Sequence, residues 1–305
     1  METGKPTPIK PLRLTPGDTI GIVAPAGPFE EKVFNVGIEA LEAMGFVTAV
    51  PEDLFEKNGY LAGSDAHRAD LINRLFAEDT IKAILCARGG FGSIRTLPLL
   101  DYESIRENPK IFAGFSDISA LLTALYAKCG FITFHAPVLT TLGSAADRTR
   151  DALLYAFLSD IPIEVQPEEG IVIKQGSASG PVIGGNLTTL CHLLGTPYEP
   201  TLNGHILLIE DKGEEGYRID RMLTQMQLAG CFEGLAGVVL GSFEDCGALE
   251  VIIGIVADIF RAFDIPILAG FDIGHGKTNI TIPMGLQATL DTDRQSLRFH
   301  ESATV

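Results

Sequence analysis

The sequence is short of basic charge. Its 305 residues carry 23 lysines and arginines against 39 aspartates and glutamates, a formal net charge of -16. Counterion-release binding to nucleic acid or to anionic lipid needs the opposite sign, so neither partner is expected. Long apolar runs are missing too: VIIGIVADIF is broken by charge well short of the roughly 18 residues that a membrane span needs. The first seventeen residues, METGKPTPIKPLRLTPG, hold four prolines and no apolar stretch of the kind a secretory leader carries. A poorly ordered lead-in and a cytoplasmic protein are the expectation. Cysteine is scarce and unpatterned. Cys86, Cys129, Cys191, Cys231 and Cys246 are odd in number and share no C-x-x-C spacing, which excludes a disulfide framework and a zinc ribbon and leaves reduced core residues.

What is present, at 46% hydrophobic and 20% charged, is the composition of an ordinary globular chain of one or two domains. Short runs of Ile, Val and Leu alternate with amphipathic stretches, the pattern of a mostly parallel sheet covered by helices. An α/β fold follows. In the first half, strands are expected near residues 19–24, 46–50, 81–87 and 111–115, with helices near 30–44, 66–76 and 118–128, the last ended by Gly130. This is a doubly wound arrangement. Between Ser159 and Gly180 the texture changes to IPIEVQPEEGIVIKQGSASG, where alternation replaces helical spacing. The division is therefore drawn as an N-terminal domain, 1–165, and a smaller C-terminal α/β domain with a mixed sheet, 166–305. In the second part, helices are expected near 187–194, 217–228 and 250–263, and strands near 205–209 and 235–243. No internal repeat is visible.

The most informative segment is IFAGFSDISALLTALYAKCG, in which Ser116 stands between an apolar strand and an amphipathic helix. A serine there lies at the carboxyl edge of the sheet, where open α/β folds bind ligands and where helix-initiating amides can stabilise an oxyanion. The segment is a partial nucleophile elbow, because Ile118 occupies the place of the second glycine in G-x-S-x-G. Capping of the helix by Ser116 or Asp117 is the competing role. One strand earlier, ILCARGGFGSIRTL places Gly89, Gly90 and Gly92 after a buried strand. The loop lacks both the Lys-Ser/Thr of a phosphate loop and the G-x-G-x-x-G spacing, so it suits a structural turn or an oxyanion-hole amide better than a nucleotide.

A serine nucleophile needs a base, and the base needs an orienting carboxylate. Of six histidines, His275 in AGFDIGHGKTNITIP, flanked by Gly274 and Gly276, and His135 at the end of FITFHAP have loop contexts suited to a site. His192 is read as a core residue on an apolar helix face, His67 and His300 as solvated, and His205 carries no special signal. Glu210 ends the apolar run ILLIE, where a charge needs a partner or must lie just past the core. Asp211, Glu214 and Glu215 are alternative carboxylates in the same loop.

Taken together these segments resemble the LD-carboxypeptidase family of serine peptidases, which contains muramoyltetrapeptide carboxypeptidases and microcin C7 self-immunity proteins. The similarity runs from GDTIGIVAPAGP through ARGGFG, GFSDISALLTAL, PVIGGNLTTLCHLLGTPYEP and ILLIEDKGEEGYRIDRMLTQM to GFDIGHGKTNITIPMG. It implies a Ser-Glu-His triad between two domains, falling on Ser116, Glu210 and His275, with oxyanion donors at the backbone N–H groups of Gly90 and Asp117. It implies release of terminal D-alanine from a muropeptide tetrapeptide during cell-wall recycling, and a homodimer. The microcin branch, which cleaves peptidyl or aminoacyl nucleotide analogues, commonly stacks the base on tryptophan, and this chain has none. A non-catalytic sugar- or nucleotide-binding protein is the alternative from another class. No cofactor is called for, and no clustered His/Cys ligands suggest a metal. An anionic peptide must be held by local cations, for which Arg88 beside the glycine loop and Lys277 beside His275 are the candidates, and Gly89 of that loop is a further candidate substrate contact.

Overall fold

The computed structural model describes residues 8–305 and resolves the alternating pattern into two sheets. In chain order the strands are β1 (Thr19–Val23), β2 (Val47–Ala49), β3 (Ile81–Cys86), β4 (Ile111–Gly114), β5 (Thr133–His135), β6 (Glu164–Val165) and β7 (Ile171–Lys174). They continue as β8 (Ser177–Asn186), β9 (Ile206–Lys212), β10 (Gly237–Glu244), β11 (Ile267–Ala269), β12 (Ile282–Met284), β13 (Gln287–Asp291) and β14 (Ser296–Phe299). The first sheet has the order β12-β5-β4-β3-β1-β2, and β1 to β5 run parallel. Its order reverses between β1 and β3, the crevice at which doubly wound folds take their ligands.

The second sheet has the order β6-β14-β13-β8-β9-β10-β11-β7, with a parallel centre from β8 to β11 and antiparallel flanks. Its four parallel strands separate two apolar clusters by the two-residue alternation of a strand. Ile206 and Leu208 of β9 join the core of the first domain, whereas Leu207 and Ile209 join a second core under helices Gly216–Leu228 and Leu249–Ile259. One face of the second sheet is thus the floor of the domain interface.

A division by chain position at 165/166 does not coincide with the sheets. β6 precedes it yet pairs with β14, and β12 follows it yet closes the edge of the first sheet against β5. The C-terminal part has fewer residues but the larger sheet. The stretch 159–180 is not a bare connection; it carries β6, β7 and the start of β8. Helix Asp147–Leu158, not among the expected elements, completes the first domain.

The lead-in also differs from expectation. Residues 1–7 lie outside the described residues, but those that follow are tied down: Ile9 N–H donates to Gly130 O at 2.8 Å, Arg13 N–H to Val305 O at 2.8 Å, and Leu14 is 2% exposed. Buried apolar side chains and satisfied backbone groups hold this segment in place. Among the described residues no helix is long and apolar enough to cross a membrane, and no three His, Cys, Asp or Glu side chains stand where they could hold a metal ion. All five cysteines are free thiols.

Candidate active site

β4 leaves the first sheet through Gly114 and Phe115 into Ser116, whose φ is +66°. A non-glycine residue in the left-handed region is uncommon and costs about 1 kcal/mol or more, so the surrounding turn holds it there. The turn Ser116–Ile118 then feeds helix Ser119–Cys129. Gly114 explains the missing second glycine: a Cβ at Gly114 would stand 2.8 Å from Ile118 Cγ2, so the first glycine makes the room that Ile118 occupies.

Neither Ser116 nor Asp117 caps this helix. Asp117 instead accepts from Ser93 N–H at 2.8 Å, joining the serine turn to the glycine loop. Burial raises its pKa, and the bonds from Ser93 and Gly92 oppose that rise. The glycine loop comes so close to the serine that a Cβ at Gly89 would lie 3.2 Å from Ser116 Oγ. Buried Arg68 donates to Gly92 O at 2.8 Å and to Pro25 O, clamping this loop to the one after β1.

The second domain brings up the remaining groups. His275 Nε2 lies 3.2 Å from Ser116 Oγ, and its Nδ1 lies 2.6 Å from Glu210 Oε2. Glu210 is fully buried at the end of β9; desolvation raises its pKa, while the hydrogen bond and charge of His275 pull it back down. Gly274 has φ +107°, and a Cβ there would stand 2.4 Å from Glu210 Oε2, so only glycine lets the histidine loop approach the carboxylate. The loop is secured on both sides of the imidazole: Gly274 N–H donates to Asn279 Oδ1 at 2.9 Å, and Gly276 N–H to Ser242 Oγ at 3.1 Å. The Phe115 ring packs on the imidazole with centroids 4.7 Å apart.

The alternatives left open by the sequence separate here. Asp211 accepts from Asn186 Nδ2 at 2.9 Å and from Thr188 N–H at 2.9 Å, so it braces the adjoining helix start and not His275. His135 is fully buried behind Phe115, with no hydrogen-bond partner for either ring nitrogen among the described residues. Desolvation first, then the charge of His275, push its pKa down to about 3.

Ser116, Gly90, Asp117 and His275 line one cleft of about 510 Å³, together with Phe91 and Asn186. His275 also borders a second cavity of about 530 Å³ that contains Thr141, Ser144 and Lys277. Three expectations need correction. His192 is not a core residue but projects, exposed, into the first cleft, because its helix turns that side away from the apolar cluster. Arg88 does not line the cleft; its guanidinium donates to Pro28 O, in the segment that follows β1. Lys277 is exposed at the second cavity. His67 is half-buried against Gly63, not solvated. Sequence reasoning missed Asn186, Thr188 and Lys212, all cleft-lining; the only local signal was the N-cap pattern at Asn186, whose side chain accepts from Thr189 N–H at 3.0 Å.

A hydroxyl on a left-handed turn, held against an imidazole that is itself held by a buried carboxylate, in a cleft also lined by Gly90 and Asp117, has the geometry of a serine hydrolase. The chain belongs to the LD-carboxypeptidase family, with the family's N-terminal domain matching residues 20–136 and its C-terminal domain residues 179–290. It is thus an enzyme of a serine carboxypeptidase family. A probable murein peptide carboxypeptidase of Bacillus subtilis is 36% identical over 93% of this chain and 92% of its own length. The solved structure of the microcin C7 self-immunity protein MccF in its wild-type apo state matches with a TM-score of 0.90 at 28% identity, over 98% of this chain and all of that one. The crystal structure of a muramoyltetrapeptide carboxypeptidase from Oxalobacter formigenes matches with a TM-score of 0.81 at 26% identity, over 92% and 97%.

Proposed function

We propose that this chain is a serine LD-carboxypeptidase that hydrolyses the L,D-peptide bond releasing terminal D-alanine from muropeptide tetrapeptides in cell-wall recycling. The observation that carries the reading is the continuous contact from Ser116 Oγ through His275 to Glu210, at 3.2 and 2.6 Å. Ser116 Oγ attacks the carbonyl carbon while His275 Nε2 takes its proton. The oxyanion is met by the N–H groups of Gly90 and Asp117. His275 then gives the proton to the departing amine, the C–N bond breaks, and an acyl ester remains on Ser116. Water attacks the ester with its proton taken by His275, and the Ser116 hydroxyl is restored. Glu210 holds the imidazole tautomer and stabilises its charged form. The substrate class is supported by relatives named for murein peptide and muramoyltetrapeptide carboxypeptidase activity.

Mass spectrometry of products from tetrapeptides ending in D- or L-alanine tests the reading; loss of one residue from the D-terminated peptides alone is the expected result. The similarity to MccF favours a second reading, an amidase acting on peptidyl or aminoacyl nucleotide analogues. Cleavage of such an analogue with the tetrapeptides untouched would establish it. A fluorophosphonate that fails to label Ser116 in the folded protein would instead favour a binding protein. The same reading makes the enzyme a cytoplasmic homodimer; cell fractionation checks the compartment and sedimentation of the purified chain the oligomeric state.

A further inference from the structure

A carboxypeptidase must read the free carboxylate of the residue it removes, and the proposed activity, on which this inference rests, therefore requires a cation beside the scissile bond. A chain of net charge -16 supplies no long-range attraction for that carboxylate. Arg88 is turned onto Pro28 O. Lys277 borders only the second cavity. Lys212 borders both, as His275 does.

Its position follows from β9. Residues two apart on a strand share a face, so Lys212 lies on the same side as Ile206, Leu208 and Glu210, the side that looks into the domain interface. Its backbone is fixed, with the N–H donating to Asp211 Oδ1 at 2.8 Å. Its ammonium is not. The single ion pair it makes among the described residues is to Asp245 at 3.8 Å, too long for a hydrogen bond, with that carboxylate side chain 70% exposed. The acidic side chains nearby are already engaged: Glu210 by His275, and Glu214 by Arg218 at 3.4 Å. A rigid backbone therefore presents a solvated, exchangeable positive charge at the junction of the two cavities, next to the imidazole that must protonate the leaving amine.

We propose that Lys212 Nζ receives the C-terminal carboxylate of the departing D-amino acid and so restricts the enzyme to chain ends. The test compares a tetrapeptide ending in D-alanine with the same peptide ending in D-alaninamide, on the native chain and on Lys212→Met. The native enzyme should prefer the free acid. Lys212→Met should lose about 10- to 100-fold in kcat/KM on the acid, chiefly through KM, and little on the amide, so the preference collapses. Lys212→Arg should restore part of it. Labelling of Ser116 by a fluorophosphonate reports that the variant's site is intact; if Lys212→Met does not label, Lys212→Gln takes its place with the same readings. An unchanged acid-to-amide ratio in the variant overturns the role of Lys212. A native enzyme that cleaves neither peptide overturns the carboxypeptidase reading itself, and this proposal with it.

Discussion

Ser116 pays for its exposure with its backbone. At φ +66° it stands clear of the helix it precedes, and its oxygen is left for His275 at 3.2 Å. Since no helix cap depends on it, Ser116→Ala should change stability by no more than about 0.5 kcal/mol while lowering turnover by roughly 10⁴-fold or more. Parallel thermal unfolding and steady-state assays check this, and retained turnover would sink the nucleophile role. Glu210 and Asp211 are neighbours in sequence with separate tasks. Glu210→Gln keeps the shape but not the charge that stabilises an imidazolium, so kcat should fall roughly 10³- to 10⁴-fold. Asp211→Asn should act on stability and KM through Asn186 and Thr188. If Asp211→Asn is the variant that loses kcat and Glu210→Gln keeps it, the orienting carboxylate has been misassigned.

At the scale of elements, the site is made by the ends of strands. β3 and β4 deliver the glycine loop and the serine to the edge where the order of the first sheet reverses, and β9 delivers Glu210 and Lys212 from the facing sheet. Two-residue alternation sends Glu210 toward the first domain and Asp211 away from it, a distinction set by strand register and not by local composition. The loop from β11 to β12 carries His275 across the interface because β12 pairs with β5 in the first sheet. The loop tolerates no side chain at Gly274. Gly274→Ala would force a left-handed alanine with its Cβ 2.4 Å from the Glu210 carboxylate, so kcat should drop at least about tenfold, with a stability loss of about 1 to 3 kcal/mol. Wild-type kcat in that variant would show that the loop does not depend on close approach.

For the whole molecule, the two domains share a core that continues behind the site, and His135 lies within it. With its pKa pushed down to about 3 from 6.5, the folded protein binds fewer protons at this residue than the unfolded chain between those values. Its contribution is therefore complete above pH 6.5 and is lost as pH falls toward 3. Each tenfold change in proton affinity is worth about 1.4 kcal/mol, so the loss amounts to a few kcal/mol in all. Glu210 and Asp117, raised by burial, act in the opposite sense, favouring the fold at low pH and losing that effect as pH rises. The difference between the native chain and His135→Gln isolates the histidine. Urea denaturation from pH 7 to 4 should show a shallower acid loss in the variant, and parallel curves would contradict a buried imidazole that resists protonation.

Much of this molecule was determined by its sequence alone. The alternation of apolar runs and amphipathic stretches specified an α/β fold because burial on a sheet and on a helix needs different periods, and the strand-turn-helix around Ser116 specified a sheet-edge serine. The motif blocks led to the family. Only tertiary structure decided what depends on distant chain. Whether Ser116 capped a helix, whether His275 or His135 faced it, and whether Glu210 or Asp211 held the imidazole turned on which face of which strand met the other domain. His192 and Arg88 were misread for the same reason, since a helix side or a loop side has no local marker of what lies opposite. The return of β12 to the first sheet was likewise invisible, because a three-residue strand carries no periodicity and its pairing with β5 joins residues nearly half the chain apart.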